Sequence, residues 1–392
     1  PDVDGGPCDL TAPQLAAEWE DRLTMPDYER GVIAGMAMTE KQGGSDVRAN
    51  TTRAEPIGSD EYELIGHKWF CSYPPCDVFL VLAQARGGLS CFFVERGEGM
   101  EFVRLKDKLG SRSLPSSEVE FRGARARLVG EEGRGVATII QMVNHTRLDC
   151  MIGSAASMRR GVLEATHHAR GRSAFGSLLV DQPAMKNVLA DLAIESEAAT
   201  AALFRIARAF DEGDEPLRRF GTAVMKYWIC KRAAGHASEA LECFGGNGYA
   251  EESGMPLLYR DAPLMSIWEG SGNVAALDVL RALAREPEGL PAFLGECELA
   301  RGADGRLDAH LDALGARLAG LQSAGADAAQ FEARRVVEDL GLAFQDSQLV
   351  RHADPAVADA FCAGRLGARG LAYGTLPAGV DAQRILDRVV AV

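Results

Sequence analysis

The chain has 392 residues, enough for two or three hydrophobic cores, and its 47% hydrophobic and 25% charged residues are ordinary for a globular protein. A formal net charge of −14 argues against broad attraction to nucleic acid, and no apolar run reaches the roughly 18 residues that span a bilayer, so no membrane partner is expected. The nine cysteines are scattered without zinc-ligand spacing, which fits reduced thiols in a cytoplasmic protein and no metal site.

Residues 1–30 mix Pro, Gly and Asp with one short helical piece from Pro13 to Leu23, and read as a connector. The chain opens on Pro1 rather than Met, so an upstream segment is expected. From 31 to 128 short apolar runs such as Val78-Phe79-Leu80-Val81-Leu82 and Cys91-Phe92-Phe93-Val94 alternate with Gly, Pro, Asp and Ser clusters. That texture predicts a small antiparallel β-domain, because no long helices intervene to make parallel crossovers. After Gly130-Glu131-Glu132-Gly133-Arg134-Gly135 helices take over. Met185, Leu189, Leu192, Ala199, Leu203, Ile206 and Phe210 line one face of a helix over 182–210, and further helices are expected over 222–244, after Glu269, and near 305–323, 329–350 and 355–366. The fold class is therefore α+β: a β-domain over 31–128, a helical bundle over 129–285 and a helical extension over 286–392. Beyond residue 290 the chain has ten Lys and Arg against fourteen Asp and Glu, and no polar cluster there points to chemistry.

Three glycine-bearing loops and one carboxylate stand out. Met38-Thr39-Glu40-Lys41-Gln42-Gly43-Gly44-Ser45-Asp46 offers backbone N–H groups and hydroxyls to a ligand, or is a plain turn. Gly66-His67-Lys68-Trp69-Phe70-Cys71-Ser72 carries an indole that either stacks on a planar cofactor or packs in the core. Cys243-Phe244-Gly245-Gly246-Asn247-Gly248-Tyr249 follows a helix, so it is a helix cap or a ligand loop but not a Rossmann fingerprint. Arg172-Ser173-Ala174-Phe175-Gly176 closes a helix and offers a guanidinium to phosphate or to the helix dipole. Glu269 stands between Trp268 and Gly270-Ser271-Gly272 where a helix begins: a general base if apolar bulk raises its proton affinity, or a first-turn acid serving the dipole.

Taken together, these segments over about residues 30–285 resemble the flavin-dependent acyl-CoA dehydrogenase family. The resemblance implies an N-terminal helical domain, missing here, a central β-domain, a C-terminal four-helix bundle and FAD as cofactor. It implies that Met38, Thr39, Gly44 and Ser45 contact the flavin, with Trp69, Cys71 and Ser72 on the strand beside its rings. Arg172 and Phe175 match an Arg-x-x-Phe-Gly motif that reaches FAD in a neighbouring subunit of family tetramers, so a homo-oligomer is expected. Glu242, Gly245 and Gly246 match a dinucleotide-contacting segment in which most members have Gln at the first position, and Asn273 is counted with the cofactor residues. Glu269 takes the place of the catalytic base, with Arg147, Trp268 and Gly270 around the substrate. The base's own backbone N–H holds the thioester carbonyl in the family.

The longer matches, including Arg104-Leu105-Lys106-Asp107-Lys108-Leu109-Gly110 and Ser266-Ile267-Trp268-Glu269-Gly270-Ser271-Gly272-Asn273, are similar to the bacterial alkylation-response, AidB-like branch, which carries a C-terminal extension. The expected function is α,β-dehydrogenation of an acyl-CoA, with electron-transfer flavoprotein or oxygen as acceptor. The alternative is a flavin-bearing, DNA-associated alkylation-response protein with incidental dehydrogenase activity.

Overall fold

The computed structural model describes residues 13–59, 61–323, 325–367 and 370–389. The chain separates into two compact units, Pro1–His145 and Thr146–Val392, and the division falls inside a long helix.

The first unit contains helix α1 (Pro13–Leu23) and strands β1 (Ala34–Ala37), β2 (Arg53–Pro56), β3 (Glu61–Ser72), β4 (Val78–Ala85), β5 (Gly88–Glu95), β6 (Met100–Leu105) and β7 (Ser116–Val129). Most ladders are antiparallel, but β1 pairs with β4 in parallel, from Ala34 opposite Val78 to Ala37 opposite Val81, and β2 touches β4 in the same sense. The purely antiparallel expectation is corrected there. Short apolar runs give strand length but not direction, because both ladder types accept the same side chains. The sheet also closes on itself, since β5 pairs with β4 on one side and with β7 on the other. Phe79, Phe92, Phe121, Leu64 and Val81 fill one core of this unit. Trp19 of α1 packs on Phe93 in a second, at 5.1 Å between ring centroids.

The second unit is helical. It takes up the rest of α2 (Gly135–Gly171), a two-stranded hairpin of β8 (Ser173–Ala174) and β9 (Ser177–Leu178), and then α3 (Pro183–Asp211), α4 (Glu215–Glu242), α5 (Met255–Met265), α6 (Gly272–Arg285), α7 (Gly289–Glu298), α8 (Gly305–Ser323), α9 (Ala326–His352), α10 (Pro355–Phe361) and α11 (Ala382–Asp387). Helix α3 buries Leu189, Leu192, Ala199, Leu203 and Ile206 of the expected face, with Met185 and Phe210 partly covered at its ends. Helices α7 to α11 contribute to the same core as α3 and α4. No helix among the described residues is long and apolar enough to cross a membrane.

The C-terminal helices also bury polar residues. Gln345, Asp346, Ser347 and Gln348 are four successive buried polar residues on α9, invisible to a search for apolar periodicity. Asp346 accepts from the Cys362 thiol at 3.0 Å, where a π-helical turn (Cys362–Leu366) continues α10. Burial pushes the Asp346 carboxyl up to about 7, against the opposing Cys362 hydrogen bond. A raised carboxyl binds its proton more tightly when folded, so stability is lost as pH rises toward 7. Asp346→Asn removes this titration. Its melting temperature relative to wild type is expected to rise between pH 5 and pH 8, tracking a slope of up to about 1.4 kcal/mol per pH unit. A pH-independent difference overturns the assignment.

Candidate active site

In the second unit, α5 ends at Met265 and α6 starts after its N-cap Ser271. Glu269 lies between them, outside either helix, with φ +56, and Gly270 follows at φ +106. The acid is thus not in the first turn of α6, which contains no acidic residue. Left-handed backbone is costly for a residue with a Cβ, so something must hold it. Three successive carbonyls of this turn are gripped by buried cations. Lys226 of α4 donates to the Trp268 carbonyl at 2.8 Å and to the Gly270 carbonyl at 2.6 Å, while Arg147 of α2 donates through Nε to the Glu269 carbonyl at 3.1 Å.

Arg147 is itself anchored. Its Nη1 lies 2.7 Å from Asp278 of α6, and Asp278 also accepts from Arg219 at 3.0 Å. Burial disfavours charge on Asp278, but the two guanidiniums outweigh it and hold the carboxyl below its ordinary value. Neither Lys226 nor Arg147 is hydrogen-bonded to the Glu269 carboxylate; both serve the backbone. Glu269 Oε2 is buried with no hydrogen-bond partner, and so is Trp268 Nε1. Burial raises the Glu269 pKa, opposed by a hydrogen bond from Thr146 and by the charges of Arg147 and Lys226. A desolvated carboxylate with one unengaged oxygen, in a turn fixed from behind, is the arrangement a general base needs.

The other predicted residues of this unit lie at the surface. Helix α2 ends at Gly171, so Arg172 to Gly176 does not close the helix but forms the hairpin β8–β9. Phe175 and Gly176 are its two turn residues, at φ +52 and +84, as a primed two-residue turn requires. Phe175 is completely exposed, a strained and apolar tip with no contact of its own. Arg172 is exposed, as are Glu242, Gly245 and Gly246 at the end of α4. Asn273 is exposed too, and its side-chain oxygen accepts from Arg334 of α9 at 2.8 Å.

In the first unit the loop after β1 and the end of β3 run side by side. Trp69 N–H donates to the Thr39 carbonyl at 2.8 Å, and Lys41 N–H donates to His67 Nε2 at 3.0 Å. A buried ion pair fixes them, with Lys68 Nζ 2.8 Å from Glu40 and both side chains fully covered. Glu40 also accepts from Thr51, Thr52 and Gln42, and Asn50 donates to the Met38 carbonyl at 3.0 Å. Gly44 packs so closely on Thr39 that a Cβ there would strike its hydroxyl. The Thr39, Ser45 and Ser72 hydroxyls have no hydrogen-bond partner among the described residues, so this donor set fits the polar edge of a flavin. Cys71 is buried in the core, and burial pushes its thiol up to about 12. Trp69 carries the Lys106 ammonium 3.3 Å from its ring centroid.

Comparison with known proteins identifies the family. The acyl-CoA dehydrogenase middle-domain model matches residues 35–124 and the C-terminal-domain model matches 133–284. The protein AidB of Escherichia coli (strain K12) is 44% identical over 92% of this chain and 68% of its own length. The chain belongs to the acyl-CoA dehydrogenase family. Acyl-CoA dehydrogenase family member 11 of Caenorhabditis elegans is 38% identical over 71% of this chain, which spans 49% of that relative's length. The crystal structure of C. elegans ACDH-11 in complex with C11-CoA superposes with a TM-score of 0.82 at 34% identity, over 89% of this chain and 67% of the other. The resemblance to the AidB-like branch is thereby borne out, and with it an acyl-CoA dehydrogenase-like flavoenzyme that uses FAD.

Lys226 and Asp278 were not among the residues picked from sequence. The signal was present: Lys226 interrupts the run Ala223-Val224-Met225-Lys226-Tyr227-Trp228-Ile229-Cys230, and Asp278 interrupts Ala275-Ala276-Leu277-Asp278-Val279-Leu280. A charge inside an apolar helical stretch needs a partner, since burying it unpaired is costly.

Proposed function

We propose that the protein catalyses FAD-dependent α,β-dehydrogenation of an acyl-CoA thioester, with Glu269 as general base, in the family's architecture of β-domain, four-helix bundle and C-terminal helical extension. The observation that carries this reading is the Glu269 carboxylate: buried, raised in pKa, and left with Oε2 unpartnered although two cations lie in the same cluster. Bound FAD supplies the hydride acceptor for the β-carbon. Glu269 removes the α-proton at Oε2, and its own N–H donates to the thioester oxygen as enolate charge develops. Thr39, Ser45, Ser72 and the backbone of Gly44 are the flavin donors in the first unit. Trp268 limits the acyl chain, and its Nε1 awaits a polar partner. The exposed Arg172 and Phe175 hairpin serves the cofactor site of a second copy, in keeping with a strained apolar tip that nothing in its own chain covers. The C11-CoA ligand of C. elegans ACDH-11 supports an acyl-CoA substrate, and electron-transfer flavoprotein or oxygen reoxidises the flavin.

The DNA-associated alternative is the weaker reading. Beyond residue 290 eight arginines sit against carboxylates, which leaves little free cationic surface for phosphates. The deciding experiment is an anaerobic titration of the FAD-loaded protein with saturated acyl-CoAs of graded chain length. At least one is expected to bleach the visible flavin band. A yellow protein bleached by none of them, but reducible by dithionite, overturns the proposal.

A further inference from the structure

Resting on that reading, we infer that Lys226 is the positioning residue that aims the Glu269 N–H at the thioester carbonyl. That N–H belongs to the peptide group between Trp268 and Glu269. It is trans, as are all peptide bonds described, so its C=O and N–H point in opposite directions across one plane. Lys226 Nζ holds that C=O at 2.8 Å, and therefore fixes the N–H on the far side. The Glu269 N–H makes no hydrogen bond among the described residues, so it is an unspent donor. Cationic contact on the carbonyl also polarises the peptide and strengthens its N–H as a donor, as in any hydrogen-bonded chain.

The second bond of Lys226, to the Gly270 carbonyl at 2.6 Å, spans the turn from the other end. Together the two contacts bracket Glu269 and retain its left-handed φ. Arg147 is not equivalent: it holds the Glu269 carbonyl, whose peptide partner is the N–H of Gly270. Lys226 alone acts on the plane that carries the Glu269 N–H. Its side chain is 1% exposed, and the nearest ionisable groups acting on it are Cys230, Cys150, Arg147 and Glu269. With no carboxylate bonded to it, its ammonium is committed to the two carbonyls.

A donor aimed at the thioester oxygen is felt only by ligands that have that oxygen. The test compares Lys226→Met with wild type, both as FAD-loaded protein, for binding of a saturated acyl-CoA from the titration above and of the matching S-alkyl-CoA thioether, which lacks the carbonyl. Wild type is expected to prefer the thioester. The variant is expected to lose about tenfold or more of that preference while thioether affinity stays within about twofold, since one oxyanion donor is typically worth 10²–10³ in rate. Lys226→Gln, which keeps a neutral donor and most of the volume, is expected to fall between them, and it carries the test if the Met variant does not fold. The infrared carbonyl stretch of the bound thioester is expected to lie lower in wild type than in either variant. Equal losses for both ligands, with an unmoved carbonyl stretch, make Lys226 merely structural and overturn the inference while leaving the function intact. A wild type with no thioester preference overturns the inference alone, because the function is decided by the bleaching titration.

Discussion

Glu269→Gln is expected to lower the rate of flavin reduction by a saturated acyl-CoA by about 10²–10⁴-fold, the range for losing a positioned general base, with flavin content and melting temperature nearly unchanged. Gln keeps the shape of the side chain and the backbone N–H, and the carbonyl grips by Lys226 and Arg147 do not involve the carboxylate. The wild-type pH profile supplies the sign. Burial raises the Glu269 pKa, and a base works only when deprotonated, so activity is expected to fall as pH drops through a value above the ordinary carboxylate range of about 4. The variant should lack that acidic limb. Stopped-flow reduction across pH measures both. Wild-type rates in Glu269→Gln would remove this residue from the proton transfer.

Lys68→Met is expected to destabilise the protein by about 3–5 kcal/mol, the cost of leaving a buried carboxylate without its cation. Glu40 is fully covered, and burial alone would oppose its charge. The Lys68 ammonium and the Thr51 and Thr52 donors outweigh that and hold the carboxyl well below its usual range. Because Glu40 lies in the loop with Thr39 and Gly44, and Lys68 precedes Trp69, the same variant should release FAD more readily. The double variant Glu40→Gln with Lys68→Met removes both charges and is expected to recover part of the stability. Urea unfolding and ultrafiltration of free flavin read the two effects. An unchanged midpoint with full flavin retention in Lys68→Met would show the ion pair to be dispensable.

The helical half was largely legible in the chain. A face repeating every three or four residues predicted a helix over 182–210, and α3 runs Pro183–Asp211 with Gln182 as its N-cap. The helices near 305–323 and 329–350 fall within a few residues of α8 and α9. Helix α4 begins at Glu215 rather than near 222, and its start was readable as well: Asp214 caps it by accepting from Leu217 N–H, and a proline occupies the first turn. Helices α5, α7 and α11 were not expected, being short and flanked by loops rich in Gly and Pro. The connector helix at Pro13–Leu23 was found as read.

The sequence by itself determined the element types, the family, the cofactor and the position of the acid, because each depends on residues close together in the chain: helical period, strand length, and contiguous motifs such as Trp268-Glu269-Gly270. What only the tertiary structure decided depends on residues far apart. The parallel pairing of β1 with β4 and the closure of the sheet through β5 are such facts, since strand runs encode neither partner nor direction. So is the setting of Glu269. Residues 42, 44 and 122 positions apart, Lys226 with Trp268, Lys226 with Gly270 and Arg147 with Glu269, meet at one turn, which lies outside α6 and leaves one carboxylate oxygen of Glu269 unengaged. Long-range burial raises the proton affinity of that acid and frees its N–H, and no local pattern records either.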